Sequence, residues 1–238
     1  MIVNERILKL NKRIAVYTCV TGNYDNIREP LVKEECCDYF ILSDTPMTDL
    51  KGFCYLNVDE YVPNSSMSPK DKNRYAKMHP DEIFPEYDYS IYVDGSIQIV
   101  RPVSHCISNI GESGLAIHKH RERDCIYSEG IFLTWLGAVD KDVLIKDIRR
   151  YMEAGLPRHF GMFECGMIVT DLKNPKAVRL YREWYEEYMA GAKRDQQALI
   201  YVLWKNGLTI DVIGNLGGKY TILTNPDINW NRSAHYRG

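Results

Sequence analysis

The chain has 238 residues, of which 45% are hydrophobic and 26% are charged, and its formal net charge is -2. This length and composition allow one compact domain to bury a full core without disulfides. The slight negative charge gives no long-range attraction to nucleic acids. The seven cysteines include no C-x-x-C motif. Neither a nucleic-acid-binding protein nor a disulfide or zinc scaffold is therefore expected.

The sequence also bears on location. No apolar stretch approaches the roughly 20 residues that a membrane-spanning helix needs, and residues 1–13 lack the pattern of a signal peptide. We therefore expect a cytoplasmic protein without a transmembrane segment. Peripheral attachment at the inner membrane face, through a partner, is the alternative.

The first half of the chain predicts alternating strands and helices. Residues 13–20 and 38–44 are β-branched and aromatic runs that end in polar loops, which is typical of buried strands. A helix is predicted over residues 69–84, with proline at its first position. Residues 88–94 predict another short buried strand that ends at Asp94. This order is typical of an α/β sheet.

The second half predicts three helices. Asp140 can cap a helix over residues 141–154, and Asn174 can cap a second helix that ends near residue 189. Asp195 opens a third helix that continues to residue 205. Additional strands are predicted over residues 97–100, 115–118 and 165–170. We expect a mixed, mainly parallel sheet with helices on both faces.

The end of the 88–94 strand carries the strongest chemical signal. A carboxylate at such a position lies where open α/β sheets bind ligands. Asp94-Gly95-Ser96 matches the Asp-x-Asp metal motif of GT-A glycosyltransferases except at its last position. Transfer of a sugar from a diphosphate needs positive charge on the leaving group, which Mg²⁺ or Mn²⁺ supplies. The structural alternative is that Asp94 only caps a turn with Gly95.

Two basic residues and one aspartate are further candidates. Arg74 and Lys77 lie one turn apart on one face of the 69–84 helix, and an arginine fork with a lysine point charge suits a diphosphate. A solvated helix face is the alternative. Asp195 is either an N-cap or a functional group, as general base or as ligand of the donor sugar.

Two other polar positions are ambiguous. His118 and His120 share one face of a strand end, but they lack the spacing of a metalloprotease and fit a charged loop as well. Cys165 before Gly166 lacks a nucleophile elbow. A packing role is the simpler interpretation of this cysteine.

Together these segments resemble the bacterial and plant glycosyltransferase-like family that is named after turgor-regulation and seed-mucilage proteins, within the GT-A superfamily. The same order of motifs is similar to that of glycosyltransferases of lipopolysaccharide assembly. The matching motifs, which span most of residues 13–206, are Tyr17-Thr-Cys-Val-Thr-Gly-Asn-Tyr24-Asp25, Tyr92-Val-Asp94-Gly-Ser96, His118-Lys-His120-Arg121, Cys125-Ile-Tyr127-Ser-Glu129, Phe160-Gly-Met-Phe-Glu164-Cys-Gly166-Met-Ile-Val169 and Arg194-Asp195-Gln196.

The resemblance implies a single GT-A, Rossmann-like domain over residues 1–238, in which residues 207–238 form a C-terminal extension that closes the site. It implies a nucleoside-diphosphate sugar as donor, with UDP-sugars expected first. Asp195 and Glu164 are the expected catalytic carboxylates. The expected nucleotide-sugar-binding residues are Thr18, Gly22, Tyr24, Asp44, Arg74, Lys77, Asp94, Gly95, Ser96, His118, Gly166 and Gln196.

Metal binding and the acceptor are also expected by resemblance. In many GT-A enzymes a histidine near the C-terminus completes the metal site, so His235 is expected to hold Mn²⁺ or Mg²⁺ together with Asp94. We expect transfer of a hexose-like sugar to a glycan or lipid-linked acceptor, with polysaccharide biosynthesis as the setting.

Two alternatives stay open. A nucleotidyltransferase would carry a glycine-rich phosphate loop near the first strand, where Thr21-Gly22-Asn23 supplies one glycine. A non-catalytic nucleotide-sugar or glycan-binding module is favoured by the missing second aspartate.

Overall fold

The computed structural model describes residues 13–137 and 139–217 and the backbone of residues 223–224. The strands are β1 (Ile14–Cys19), β2 (Cys37–Ser43), β3 (Cys54–Asn57), β4 (Tyr89–Val93), β5 (Gln98–Ile99), β6 (Leu115–Lys119), β7 (Phe163–Asp171), β8 (Gly214–Asn215) and β9 (Leu223–Thr224). The α-helices are α1 (Pro69–Met78), α2 (Pro80–Ile83), α3 (Ile126–Leu136), α4 (Lys141–Ala154), α5 (Pro175–Ala190) and α6 (Asp195–Lys205).

Seven strands form one sheet in the order β3-β2-β1-β4-β7-β6-β8. Strand β7 runs antiparallel to its neighbours β4 and β6, and the other neighbouring pairs are parallel. The prediction of a mixed, mainly parallel sheet in a single α/β domain is therefore confirmed. A separate two-stranded sheet pairs β5 with β9 in antiparallel fashion.

The two faces of the large sheet are covered differently. Alternation along the strands directs Tyr17 and Tyr92 toward the α-helices, and Val16 and Val93 toward the opposite face. Among the described residues, that opposite face packs against loops and a short 3-10 helix at Ser104–Asn109, while the buried α-helical residues lie on the first face. Helices were expected on both faces of the sheet, but in the described part of the chain α-helices cover only one face.

The predicted caps of α4 and α5 are found in the structure. The Asp140 side chain accepts hydrogen bonds from two backbone amides of the first turn of α4, and Gly155 ends that helix with a φ of 95°. The Asn174 side chain accepts a hydrogen bond from the amide of Lys176 at the start of α5. Local sequence chemistry therefore fixes both helices.

Other predicted boundaries differ from the structure. The helix expected over residues 69–84 is divided into α1 and α2, because Pro80 has no amide hydrogen and disfavours helical geometry at His79. The strand expected at residues 97–100 is limited to β5. Strand β3 and helix α3 were not predicted. Within the described ranges, no helix combines the length and apolarity that crossing a bilayer requires.

Candidate active site

The predicted site residues gather at one edge of the large sheet. Strands β1, β2, β4 and β6 end at this edge, and β7 begins there, because β7 is antiparallel to its neighbours. The edge therefore brings together residues that are distant in the sequence. They are Thr18, Asp44, Asp94, His118 and Glu164.

Four charged side chains form the centre of this edge, and we call Arg74, Lys77, Asp94 and Asp195 the charge cluster. Lys77 Nζ lies 2.8 Å from Asp195 Oδ2 and 3.4 Å from Asp94 Oδ1. Arg74 Nε lies 3.3 Å from the same Asp195 oxygen. The basic face of α1 therefore meets both the tip of β4 and the first turn of α6, and its two cations converge on one carboxylate.

The charge cluster is buried at one end and open at the other. The Lys77 side chain is 1% exposed and that of Asp195 is 9% exposed, whereas that of Asp94 is 36% exposed. The Tyr92 hydroxyl donates a 2.8 Å hydrogen bond to Asp94 Oδ1. Buried charges are stable only when they are paired. The pairing at the closed end fixes Lys77, and a ligand can approach from the Asp94 side.

The electrostatics of the charge cluster keep its members ionised. Burial opposes ionisation of Asp195, but Lys77, Arg74 and Arg194 outweigh burial and hold the pKa of Asp195 well below its usual range. Burial likewise disfavours the charged form of Lys77, and Asp195 and Asp94 nevertheless raise the pKa of Lys77. A carboxylate with a strongly lowered pKa is a weak proton acceptor at neutral pH. Asp195 is therefore better suited to electrostatic work than to general base catalysis.

Two glycines make room around Asp94. A Cβ atom at Gly166 would lie 2.9 Å from Ile97 Cδ1 and 3.4 Å from Asp94 Oδ2. The carbonyl of Gly166 accepts a 2.9 Å hydrogen bond from the Asp94 amide. At Gly95 a Cβ atom would lie 2.5 Å from Val20 Cγ2. A side chain at Gly95 would displace Val20, and one at Gly166 would displace Ile97 and contact the Asp94 carboxylate.

A shallow cleft that is open to solvent lies at the same edge, and one of its lining residues is Gly95, which follows Asp94. Thr18 is one of its few polar lining residues, and its hydroxyl is buried without a hydrogen-bond partner among the described residues. An unpartnered buried hydroxyl is unfavourable and fits a ligand that would pair with it. The other lining residues are Val16, Tyr17, Ile27, Arg28, Pro30, Phe53, Val93, Gly95, Ile97 and Ile99.

The loop after β1 borders this edge. The Gly22 amide donates hydrogen bonds to both carboxylate oxygens of Asp44, at 2.9 and 3.2 Å. Gly22 has a φ of 61°, and a Cβ atom there would meet Pro69 at 2.9 Å. Tyr24 is 58% exposed. Asp44 thus holds the loop, and its expected contact with the base or ribose stays a prediction.

His118 and Glu164 are paired across β6 and β7, next to an irregularity of the register at Ile117 and His118. His118 is 2% exposed, and its Nδ1 lies 2.7 Å from the carbonyl oxygen of Gly217. Ser96 follows Asp94 in the loop after β4. Both histidine and glutamate thus lie at the site edge rather than in a surface loop.

A second group of charges near the site was not predicted, and we call it the arginine pair: Arg123 and Arg194 around Glu129. The Glu129 side chain is 3% exposed; it pairs with Arg123 and lies 4.0 Å from Arg194 NH2. Arg194 also donates to the Gln196 side chain, at 3.4 Å. A single glutamate in an otherwise apolar segment was the signal in the sequence that could have revealed this group.

The described residues alone do not match a site for Mg²⁺ or Mn²⁺. They contain no group of three histidine, cysteine or acidic side chains placed to hold a metal ion. Ser96 replaces the second aspartate of the motif, and an ammonium group already faces Asp94. Oxygen-rich coordination is what these cations need. His235, the expected second ligand, lies outside the described residues.

Comparison with solved structures supports the glycosyltransferase fold. Mouse xyloside xylosyltransferase 1 in its apo form superposes with a TM-score of 0.54 at 12% identity, covering 85% of this chain and 84% of that protein. The apo structure of the bifunctional glycosyltransferase WbbM gives a TM-score of 0.51 at 14% identity over 80% of this chain. This chain spans 37% of the length of WbbM. At such identities the likeness concerns the fold alone.

Comparison of sequences identifies the family. No curated protein gives a significant match. The model of the TOD1/MUCI70 glycosyltransferase-like domain matches residues 62–210, which is more than half of the chain and includes the whole charge cluster. The resemblance that the motifs suggested is thereby confirmed, and the chain belongs to the TOD1/MUCI70 glycosyltransferase-like family.

Proposed function

We propose that this chain transfers a hexose-like sugar from a nucleoside-diphosphate sugar to a hydroxyl group of a glycan or lipid-linked acceptor. The observation that carries the proposal is the charge cluster. Two cations from α1 and two carboxylates meet beside an open cleft, at the sheet edge where α/β folds bind ligands. Membership of a glycosyltransferase-like family supports the same reaction class.

The geometry suggests how the donor would lie. The nucleoside would bind at the cleft near Thr18, whose hydroxyl has no hydrogen-bond partner among the described residues, and Gly22, Tyr24 and Asp44 would be its further contacts. Arg74 and Lys77 would bind the diphosphate, because a guanidinium fork and an ammonium suit phosphate oxygens. The sugar would then lie against Asp94, Gly95, Ser96 and Gly166, with His118 and Gln196 at its border.

The reaction breaks the bond between the anomeric carbon and the phosphate oxygen and forms a bond from that carbon to the acceptor oxygen. The nucleoside diphosphate leaves with the bonding electrons, and Arg74 and Lys77 stabilise the charge that develops on it. The acceptor hydroxyl loses its proton to a carboxylate. Glu164 is the better candidate for that role, because three cations lower the pKa of Asp195 so far that it is a weak proton acceptor.

Asp195 has two other tasks in this proposal. It fixes Lys77 and Arg74 in their charged, converging arrangement. Its negative charge would also stabilise the positive charge that develops on the sugar during transfer. Asp195 therefore remains in the catalytic pair with Glu164, but as an electrostatic group.

A divalent cation is kept as a prediction from the sequence. Its expected ligands are Asp94 and His235, and its task would be to neutralise the leaving diphosphate. The transfer described for Arg74, Lys77, Glu164 and Asp195 does not depend on the cation. Titration of manganese into the chain, with and without UDP, measures whether nucleotide binding depends on the cation.

The test is a panel of UDP-, GDP- and CMP-sugars with and without manganese, scored by release of nucleotide. We expect turnover with one donor class and a fall of about 100-fold in Asp94→Asn. Asp88→Asn is the matched control. Asp88 lies just before β4, at the end of the strand opposite to Asp94, and its side chain accepts a hydrogen bond from the Arg13 amide. Its turnover should match that of the wild type.

Three results would contradict the proposal. Tight binding of a nucleotide sugar without turnover would identify a binding module, which the missing second aspartate favours. Release of pyrophosphate from a nucleoside triphosphate and a sugar phosphate would identify a nucleotidyltransferase. Equal turnover in Asp94→Asn and wild type would remove Asp94 from the site.

A further inference from the structure

The segment of residues 191–194 joins α5 to α6 and determines where Asp195 lies. It is short, and among the described residues no side chain caps the start of α6. Lys193 within the segment has a φ of 54°, which a residue other than glycine adopts only at some cost. Such a conformation persists where the surrounding structure holds it. The contacts of this segment therefore set the place of Asp195 in the charge cluster.

Asp147, in the middle of α4, holds one end of this segment. The Ala192 amide donates a 2.5 Å hydrogen bond to Asp147 Oδ2. Gly191 lies so close that a Cβ atom there would overlap the same carboxylate oxygen. The Asp147 side chain is 10% exposed, so its removal would leave the amide without an acceptor. The aspartate and the glycine thus form one close contact between α4 and the segment.

Asp147 is itself fixed by charges on α4 and α5. Arg150 NH2 lies 3.3 Å from Asp147 Oδ1, and the same guanidinium pairs with Glu187 of α5. The Tyr151 hydroxyl donates a 2.9 Å hydrogen bond to Glu187 Oε1. One carboxylate oxygen of Asp147 therefore faces Arg150, and the other faces the Ala192 amide. Because hydrogen bonds to an ionised carboxylate are stronger than neutral ones, this contact anchors the segment firmly.

The segment continues directly into the charge cluster. Lys193 pairs with Asp71 of α1 at 2.6 Å. The Asp195 carbonyl accepts a 2.7 Å hydrogen bond from Trp184 Nε1 of α5, and its carboxylate is a member of the charge cluster. A displacement at Ala192 would therefore be passed on, within three residues, to the carboxylate that fixes both cations of α1.

We propose that Asp147 is a positioning residue for the donor site, which places Asp195 through its hydrogen bond to the Ala192 amide. This inference rests on the proposed glycosyltransferase function and adds a residue of α4 to it. In the described part of the chain, Asp147 pairs with Arg150 and with the Ala192 amide. Asp147 thus acts on the donor only through α6. Misplacement of a reacting group by 1 Å costs about a hundredfold, which gives a contact outside the site its importance.

The experiment compares Asp147→Leu with Asp147→Asn in the full chain by two measurements. The first is the indole N–H resonance of Trp184, which reports the position of the Asp195 carbonyl. The second is a calorimetric titration of UDP. Asp147→Leu should shift the resonance and weaken UDP binding by about tenfold, because the Ala192 amide loses its acceptor. Asp147→Asn should return both close to wild type, because an amide oxygen still accepts this hydrogen bond.

Gly191→Ala is a second variant, which tests the same contact from the other side. Its Cβ atom would push the Asp147 carboxylate away from the Ala192 amide. Gly191 has a φ of −118°, so alanine there meets no left-handed strain. We expect the same shift of the Trp184 resonance and a similar loss of UDP affinity as in Asp147→Leu. This variant decides the question if Asp147→Leu does not fold.

Asp140→Ala is the matched control. Asp140 lies at the start of the same helix, and its side chain accepts hydrogen bonds from the amides of Asp142 and Val143. Its loss should destabilise α4 without removing a contact of residues 191–194. The thermal midpoint should therefore fall, whereas the Trp184 resonance and the UDP affinity should match those of the wild type.

Four results would overturn the inference. An unchanged Trp184 resonance in Asp147→Leu or Gly191→Ala would show that Asp147 does not position Asp195. Equal effects in Asp140→Ala would assign them to the stability of α4. Equal effects in Asp147→Asn and Asp147→Leu would assign them to the ion pair with Arg150. A shifted resonance with unchanged UDP affinity would separate the place of Asp195 from donor binding.

The two measurements also separate this inference from the proposed function. The Trp184 resonance is recorded without a ligand, so it tests the role of Asp147 whether or not the chain binds UDP. A wild type that does not bind UDP, but whose resonance shifts in Asp147→Leu, would contradict the proposed function and leave the placement of Asp195 by Asp147 supported.

Discussion

Asp195 is the counter-ion of a lysine that has almost no access to solvent. Its carboxylate lies 2.8 Å from Lys77 Nζ and 3.3 Å from Arg74 Nε, and its backbone carbonyl accepts a 2.7 Å hydrogen bond from Trp184 Nε1. It is the first residue of α6 rather than the cap before it, and no side chain caps that helix. The structural alternative of an N-cap is therefore wrong.

Asp195→Asn should reduce both stability and turnover. Removing one partner of a buried ion pair leaves the other charge uncompensated, so the free energy of unfolding should fall by roughly 3 kcal/mol. This is more than loss of a helix cap would cost. Turnover should fall by about 100-fold, because the diphosphate-binding cations lose their fixed arrangement. Denaturant unfolding and nucleotide release measure the two effects.

The double variant Asp195→Asn/Lys77→Met separates stability from chemistry. Removing both charges with residues of similar volume should restore much of the lost free energy of unfolding. Turnover should stay at the level of the single variant, because Lys77 is also missing. Recovery of turnover along with stability would show that the pair has a structural role only.

At the residue scale, the sequence predicts the side chains that depend on local pattern. Asp94 follows a hydrophobic strand, and Arg74 and Lys77 are spaced by one helical turn, so their positions could be anticipated. Glu129 stands out as a single glutamate in an apolar segment, but its two arginine partners could not be anticipated, because they come from a loop and from the start of another helix. Such pairs arise from tertiary packing, which single-sequence patterns do not contain.

At the element scale, an ion pair joins the two helices that carry the charge cluster. Lys193, just before α6, pairs with Asp71 in the first turn of α1 at 2.6 Å. Lys193 has a φ of 54°, a left-handed conformation that a non-glycine residue adopts only at some cost. The pair therefore positions Asp195 against Arg74 and Lys77.

Lys193→Met should lower turnover by about tenfold through misplacement of α6, since small displacements in a reacting site are costly. Lys193→Arg should restore most of it. The control is Lys176→Met, which removes an exposed ion pair of the same 2.6 Å length, with Glu112. If both methionine variants lower turnover equally, the pair of Lys193 and Asp71 does not position Asp195. The thermal midpoint should change little in Lys176→Met and should fall in Lys193→Met, because the second variant leaves the buried Asp71 carboxylate without this cation.

The same scale shows which elements could be predicted. Helices α4 and α5 carry their signals locally, in a capping residue and an amphipathic pattern. Helix α3 lacks a polar face, so no 3.6-residue period marks it. The 69–84 helix was predicted as one element because its polar pattern continues past His79, where Pro80 in fact divides it.

At the scale of the whole molecule, the sheet gathers the site from residues as far apart as Thr18 and Asp195. The strand order places the ends of β1 and β4 side by side. Alternating strands and helices predicted the fold class, while the cleft and the arginine pair depend on loop packing. The expected domain extension over residues 207–238 lies largely outside the described residues and stays a prediction.

The contribution of the charge cluster to stability should not depend on pH near neutrality. Because the folded pKa of Asp195 is lowered, its contribution is present above its unfolded value and is lost as pH falls below about 4. The raised pKa of Lys77 keeps its contribution up to about pH 10. The difference in unfolding free energy between wild type and the double variant should be constant from about pH 5 to 9. A slope in that range would mean that one of the two groups titrates there.

The most direct test of the central claim, that the charge cluster binds the donor's diphosphate, is a calorimetric titration of UDP into wild type and Arg74→Ala. We expect affinity to fall by about ten- to a hundredfold in the variant, since a charge-assisted hydrogen bond is lost. Arg179→Ala, which changes an exposed arginine on α5, should bind UDP as wild type does. Equal UDP affinity in all three proteins would contradict the claim.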